Sequence, residues 1–198
     1  MGTVYTGASM SLDGYIAGYD GSGFDQLFQW YENGEVTVTT ADPDMSFSLT
    51  RESAEHWNRL VRESGVLVVG RRLFDITSGW RGNHPLGRPV VVVTHRPPDD
   101  WPYPDAPFTF VTDGIEAALA TAQEIAGDKG VVVNAGSMAS QCAALGRLEE
   151  VWIDLVPVFL GGGVPFLQTL GDAPLVLDGP LETRQGNRVT HLRYAVRR

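Results

Sequence analysis

Apolar residues follow two periods along this chain, and their order predicts a sheet flanked by helices. Val4 to Ser9 reads as a first strand, running into a Gly- and Asp-rich loop from Ser11 to Phe24. Phe28-Gln29-Trp30-Tyr31 is a short amphipathic turn, and Val36 to Thr40 a minor strand. Thr50 is the expected N-cap of a helix whose buried face carries Ala54, Trp57, Leu60 and Val61. Gly65 is the expected stop, before Val66-Leu67-Val68-Val69, a continuous apolar run of the kind buried on both faces. A helix of about two turns follows Gly70-Arg71-Arg72 and closes near Ser78-Gly79-Trp80.

Pro89 opens a second fully apolar strand, Val90 to Thr94, and the five prolines between His95 and Pro107 require a loop. Phe108 to Thr112 is a short strand, and Ile115 to Ala126 a helix ended by Gly127. Val131-Val132-Val133 is a third buried strand, followed by a helix from Ser137 to Leu145. Val151 to Phe159 reads as a long strand interrupted by Pro157, ahead of the loop Gly161-Gly162-Gly163. Two alternating strands, 174–183 and 188–197, are joined across Gln185-Gly186-Asn187. Alternating strand and helix followed by antiparallel strands predict a single α/β domain over residues 1–198. It has three layers: a mainly parallel mixed sheet with an antiparallel C-terminal hairpin and flanking helices.

The net charge of −9, from 24 acidic and 15 basic side chains, argues against nucleic acid or an anionic membrane as partner. Cys142 is the single cysteine, so an intrachain disulfide is impossible, and its apolar helical surroundings mark it as core. His56, His84, His95 and His191 show no metal-ligand spacing, so no metal site is expected. The segment from Thr3 reads as a strand rather than a signal core, and no apolar run approaches the roughly 20 residues of a membrane span. A cytoplasmic location is the expectation.

Ligands of open α/β sheets bind beyond the carboxyl ends of the strands. Three ends here carry anion-suited residues. At Gly70-Arg71-Arg72-Leu73 a glycine permits close backbone approach, a helix begins, and two guanidinium groups add donors. Thr94-His95-Arg96 places a hydroxyl, an imidazole and a guanidinium where an adenosine 2′-phosphate could be clamped. Asn134-Ala135-Gly136-Ser137 offers small residues and a helix start to a pyrophosphate. A fourth segment, Ser9 to Ala17, carries Asp13 within a loop rich enough in glycine to act as a lid; the carboxylate would orient a substrate or the lid backbone.

Ser11-Leu12-Asp13-Gly14-Tyr15-Ile16-Ala17, Val68-Val69-Gly70-Arg71-Arg72-Leu73-Phe74 and Pro157-Val158-Phe159-Leu160-Gly161-Gly162-Gly163-Val164-Pro165-Phe166 together resemble the dihydrofolate-reductase-like superfamily. More closely they resemble the C-terminal reductase domain of the bifunctional riboflavin biosynthesis deaminase-reductase and its stand-alone relatives. The resemblance implies NADPH, hydride transfer and a homodimer. It would set Ala8 and Ile16 at the nicotinamide, and Gly70, Arg71, Arg72 and Leu73 on phosphates. Thr94, His95 and Arg96 would meet the 2′-phosphate side, and Gly136, Ser137 and Met138 the pyrophosphate. Asp13 would act at the substrate. Relatives usually carry consecutive glycines where this chain has Asn134-Ala135-Gly136. The pterin-facing acid of dihydrofolate reductases has no clear counterpart in Arg51-Glu52-Ser53-Ala54-Glu55, so folate reduction is not expected.

The function expected is an NADPH-dependent oxidoreductase acting on a CH–OH or C=N group of a small heterocycle. The family's reaction reduces 5-amino-6-(5-phosphoribosylamino)uracil. Trp30, Phe47 and Trp80 are candidate aromatic walls, and Arg81 and Arg88 candidate cations for a substrate phosphate. The alternatives are a nucleotide-binding or regulatory protein without turnover, and a reductase of another pterin-like or small molecule.

Overall fold

Runs such as Val66 to Val69 and Val90 to Val93 can be buried only at the centre of a sheet covered on both sides. The computed structural model, which describes residues 2–168, 170 and 173–198, places them there. In chain order the elements are β1 (Val4–Ser11), β2 (Tyr15–Ala17), α1 (Phe24–Leu27), β3 (Val36–Thr39), β4 (Ser46–Leu49), α2 (Arg51–Glu63), β5 (Ser64–Gly70) and α3 (Arg71–Ile76). Then come β6 (Val90–Val93), β7 (Phe108–Val111), α4 (Gly114–Ala126), β8 (Gly130–Asn134), α5 (Ser137–Ala144), β9 (Glu150–Val156), β10 (Val164–Pro165), β11 (Leu177–Gly186) and β12 (Val189–Val196).

Eight strands form one sheet in the order β11-β12-β9-β1-β8-β5-β6-β7. The run from β9 to β7 is parallel throughout, and β12 and β11 add antiparallel strands at one edge. Period-two alternation divides the core. Val66, Val68, Val91, Val131 and Val133 pack with Ala118, Leu119 and Ala122 of α4 and Ala139 and Cys142 of α5. Leu67, Val69, Val90, Val92 and Val132 face the other way, onto Trp57 of α2, Phe74 of α3 and Trp30. This is the expected three-layer α/β arrangement. No helix among the described residues is long and apolar enough to cross a membrane.

Several boundaries differ from the expectation for physical reasons. Thr50 does cap α2, its hydroxyl accepting from the Ser53 N–H at 3.2 Å. Gly65, however, does not end the helix; it lies inside β5, where a side chain would meet Ala126 within 2.9 Å. Gly186 likewise belongs to β11 rather than to the turn, which is Asn187-Arg188. A Cβ at Gly186 would come within 2.5 Å of Ser53 Oγ, so close packing sets that residue. β9 stops before Pro157 instead of passing through it. Ser46–Leu49, a short polar–apolar alternation not anticipated as a strand, pairs with β3.

The α2 face of the sheet contains a buried polar network that residue spacing could not reveal. Asp154 on β9 lies opposite His191 on β12, and its Oδ1 receives His191 Nδ1 at 2.7 Å and His56 Nε2, from α2, at 3.0 Å. His191 Nε2 is 2.9 Å from Ser53 Oγ. The two imidazoles stack with centroids 4.1 Å apart and planes 15° from parallel. The ligand atoms of His56, Asp154 and His191 all lie within 4.8 Å of one another, so the trio could also hold a metal ion, which no spacing in the sequence announced. Burial works to raise the Asp154 carboxyl, but His56 and His191 outweigh it and hold the group well below the usual carboxylate range.

Removing the carboxylate leaves two imidazoles without their acceptor in a buried site. Asp154→Ala is therefore expected to cost about 3–5 kcal/mol in urea unfolding at neutral pH. Because the native pKa lies below the unfolded value of about 3.9, the unfolded chain takes up the proton first. This contribution is full above that value and is lost as pH falls through it toward the native one. Wild type should therefore lose part of its advantage over Asp154→Ala between about pH 5 and pH 3. A constant difference over that range would contradict the assignment.

Candidate functional site

The carboxyl ends of β1, β8, β5 and β6 lie side by side because these strands are parallel neighbours. Gly7 of β1 pairs with Asn134 of β8, which sets Ala8 beside the turn into α5. Ile16 approaches the same turn: its Cδ1 lies 3.7 Å from the position a Cβ would take on Gly136. Gly136 has φ 85 and ψ −132, a conformation reserved for glycine, whereas Ala135 places its methyl in the core. The single glycine of Asn134-Ala135-Gly136 thus stands where the backbone requires one. Gly136 N–H donates to Phe166 O at 2.7 Å, and Phe166 N–H to Gly14 O at 2.9 Å. These bonds tie the segment after β1 to the start of α5. Met138 reaches across to Gly70, 3.5 Å from a Cβ built there. The N–H groups of Ser137 and Met138, in the first turn of α5, have no acceptor among the described residues.

The arginines at the ends of β5 and β6 divide into struts and free cations. Arg71 donates to Asp75 at 2.7 Å and to the Arg96 carbonyl at 2.7 Å, clipping α3 to the loop after β6. Thr94 is buried and donates to the same carbonyl at 2.9 Å, holding the loop from beneath. Leu73 packs half-buried against the α2-side core. Arg96 points to solvent and pairs with Asp99. Arg72 and His95 are exposed, with no side-chain partner among the described residues.

Asp13 faces the backbone. Its carboxylate accepts from Ser11 Oγ at 2.6 Å, Leu160 N–H at 3.1 Å and Gly161 N–H at 2.7 Å. The Ser11 hydroxyl first, with the two amides, lowers its pKa. The geometry is that of a clamp joining the β1–β2 turn to the glycine-rich loop, the lid-backbone role open to it in the sequence.

The aromatic candidates separate. Trp30 is 1% exposed and donates to Ser9 Oγ at 3.0 Å, a core position rather than a wall. Phe47 stacks on Tyr31 at 4.3 Å. Trp80 packs against His84 in a turn where Ser78, Gly79, Trp80 and Arg81 all have positive φ. Arg81 is drawn to Asp42 and Asp44, while Arg88 precedes β6 at its amino end and bonds to the Val61 carbonyl. On α2 the residues that face the sheet are Ser53, His56 and Trp57, not Glu52 or Glu55. The one sequence signal for this was a charged Asp154 at a core-facing position of an otherwise apolar strand.

No family model and no curated protein matches this chain. Among solved structures it is similar to a candidate riboflavin biosynthesis protein of Shewanella sp. PV-4, with TM-score 0.74 and 20% identity over 99% of each chain. The fold is dihydrofolate-reductase-like. Acinetobacter baumannii RibD is also similar, with TM-score 0.63 and 16% identity; all of this chain is covered, but it spans only 58% of RibD. Of the residues singled out by sequence, those from β1, β5, β6 and β8 fall along the carboxyl edge of the sheet, whereas Trp30, Phe47, Trp80, Arg81 and Arg88 lie apart from it.

If the Asp13 carboxylate holds the glycine-rich loop, Asp13→Ala should raise hydrogen exchange of the Leu160 and Gly161 amides by roughly tenfold. Exchange measured by mass spectrometry over residues 157–166 checks this. Unchanged exchange would remove the clamp.

Proposed function

We propose that the chain is an NADPH-dependent reductase of a small heterocyclic substrate, working as a homodimer in the cytoplasm. The observation that carries the reading is the convergence of Gly136, the free amides of Ser137 and Met138, Gly70 and the unpartnered Arg72 and His95 along one carboxyl edge. Such an edge fits a dinucleotide phosphate chain: a glycine-only backbone, unpaired N–H groups, a guanidinium and an imidazole. When bound, NADPH supplies a hydride from its nicotinamide ring. Ala8 and Ile16 would border that ring. Gly136, Ser137 and Met138 would hold the pyrophosphate, Gly70, Arg72 and Leu73 its flank, and His95 and Arg96 the 2′-phosphate. Arg71 and Thr94 act one step back, fixing the loop that presents Arg96.

The protein's own contribution is positioning. Hydride transfer requires the nicotinamide and the acceptor carbon in contact with water excluded, which needs no nucleophile or dyad. The Gly14–Phe166–Gly136 hydrogen bonds hold the two walls of that contact at fixed separation. The finer reading, reduction of 5-amino-6-(5-phosphoribosylamino)uracil, is the reaction of the family the sequence resembles, and the two structural relatives bear riboflavin-pathway names.

Fluorescence titration with NADPH and NADH tests the reading. Micromolar NADPH binding is expected, with weaker NADH binding. Arg96→Ala should weaken NADPH roughly tenfold and NADH less than twofold, because the guanidinium meets only the 2′-phosphate. Equal losses would take Arg96 out of that role, and absence of binding by wild type would remove the reductase assignment.

A further inference from the structure

Charge is distributed across the candidate site in a way that bears on the acceptor. The cations Arg71, Arg72 and Arg96, with the imidazole of His95 among them, all follow β5 and β6. The opposite wall is built from the segment after β1 and from the glycine-rich loop: Leu12 N–H donates to Val158 O, and Leu160 lies against Gly23. Residues 1–50 contain seven acids and no lysine, arginine or histidine, and residues 148–183 contain no basic residue either. The arginines nearest in the chain do not compensate. Arg81 is held by Asp42 and Asp44, and Arg51 is exposed, outside the buried face of α2.

A phosphate can also be held without side-chain cations, by backbone amides in a glycine-rich loop. Here the first two amides of the loop are taken. Leu160 and Gly161 donate to the Asp13 carboxylate, so the chain's own anion fills the loop. A second anion there would meet like charge in place of donors.

What the wall does offer is aromatic surface. Phe24 stacks on Phe28 at 5.6 Å, Phe28 on Tyr31 at 5.5 Å and Tyr31 on Phe47 at 4.3 Å, a ladder running from solvent into the core. Its outer rungs Phe24 and Phe28 are 36% and 39% exposed, and Tyr19 and Phe159 beside the glycine-rich loop are 82% and 73% exposed. Exposed rings of this kind, joined to the glycine-rich loop through the contact of Gly23 with Leu160, are suited to stacking on a flat partner.

We propose that the acceptor is a planar aromatic heterocycle without a phosphate group, neutral or cationic, seated against the outer rungs of this ladder. The inference rests on the reductase reading for calling the ligand an acceptor, and it departs from the phosphorylated aminouracil of the family's reaction.

Calorimetric titration of two pairs tests it: riboflavin against flavin mononucleotide, and 5-amino-6-ribosylaminouracil against its 5′-phosphate, each with and without saturating NADPH. At least one unphosphorylated member should bind tenfold or more tightly than its phosphate, and Phe28→Ala should weaken it about tenfold with Phe28→Trp restoring it. Glu32→Lys and Asp25→Lys together should narrow the discrimination. Phosphorylated members that bind as well or better in every pair that binds, or failure of all four to bind, overturn the proposal. The separate NADPH titration keeps the two readings apart: discrimination without NADPH binding removes the reductase, and NADPH binding without discrimination removes only the acceptor class.

Discussion

Burial of one parallel sheet on both faces is the constraint from which the rest follows. The valines of β5, β6 and β8 can leave water only if helices cover each side, and parallel strands allow that because every crossover except the β6–β7 loop carries a helix. The same parallel direction brings four carboxyl ends to one edge. Residues distant in sequence, such as Ile16, Gly70, Arg96 and Gly136, become neighbours as a by-product of making a core. The antiparallel β12 and β11 then cover β9 and supply His191 to the interior.

The elements legible in the sequence were those whose signal is local. Apolar runs such as Val90 to Val93, the Thr50 cap and the Gly127 stop each determine their own neighbourhood, and the structure places them as read. Gly65 and Gly186 misled because a glycine can be selected by a close neighbour as well as by a turn, and the neighbours, Ala126 and Ser53, are far along the chain. The site was half legible for the same reason. Strand-end motifs announce where a ligand would lie, but not which arginine is already engaged. Arg71 and Arg72 look equivalent in sequence; in the fold one is a strut and the other is free. The Ser53–His191–Asp154–His56 network was marked only by Asp154, because its members come from three elements that no fixed spacing joins.

A separation of roles runs through the molecule. The edge after β5 and β6 is cationic and polar, while the edge after β1 and the glycine-rich loop is acidic and aromatic. This polarity is present in the covalent chain, where basic residues are confined to certain stretches, but it acquires meaning only when the sheet order sets the stretches facing one another. Net charge by itself hides it.

Asp13 shows how a flexible sequence can be given a fixed shape from elsewhere. Gly161, Gly162 and Gly163 have φ values of 75, 152 and 139, a path that no other residue type would follow comfortably. Such freedom ordinarily costs order. Here a carboxylate from a remote turn acts as a permanently attached ligand, with an effective concentration set by the fold rather than by the solution. The loop therefore behaves as though already bound, and its glycines serve to trace a required curve rather than to move.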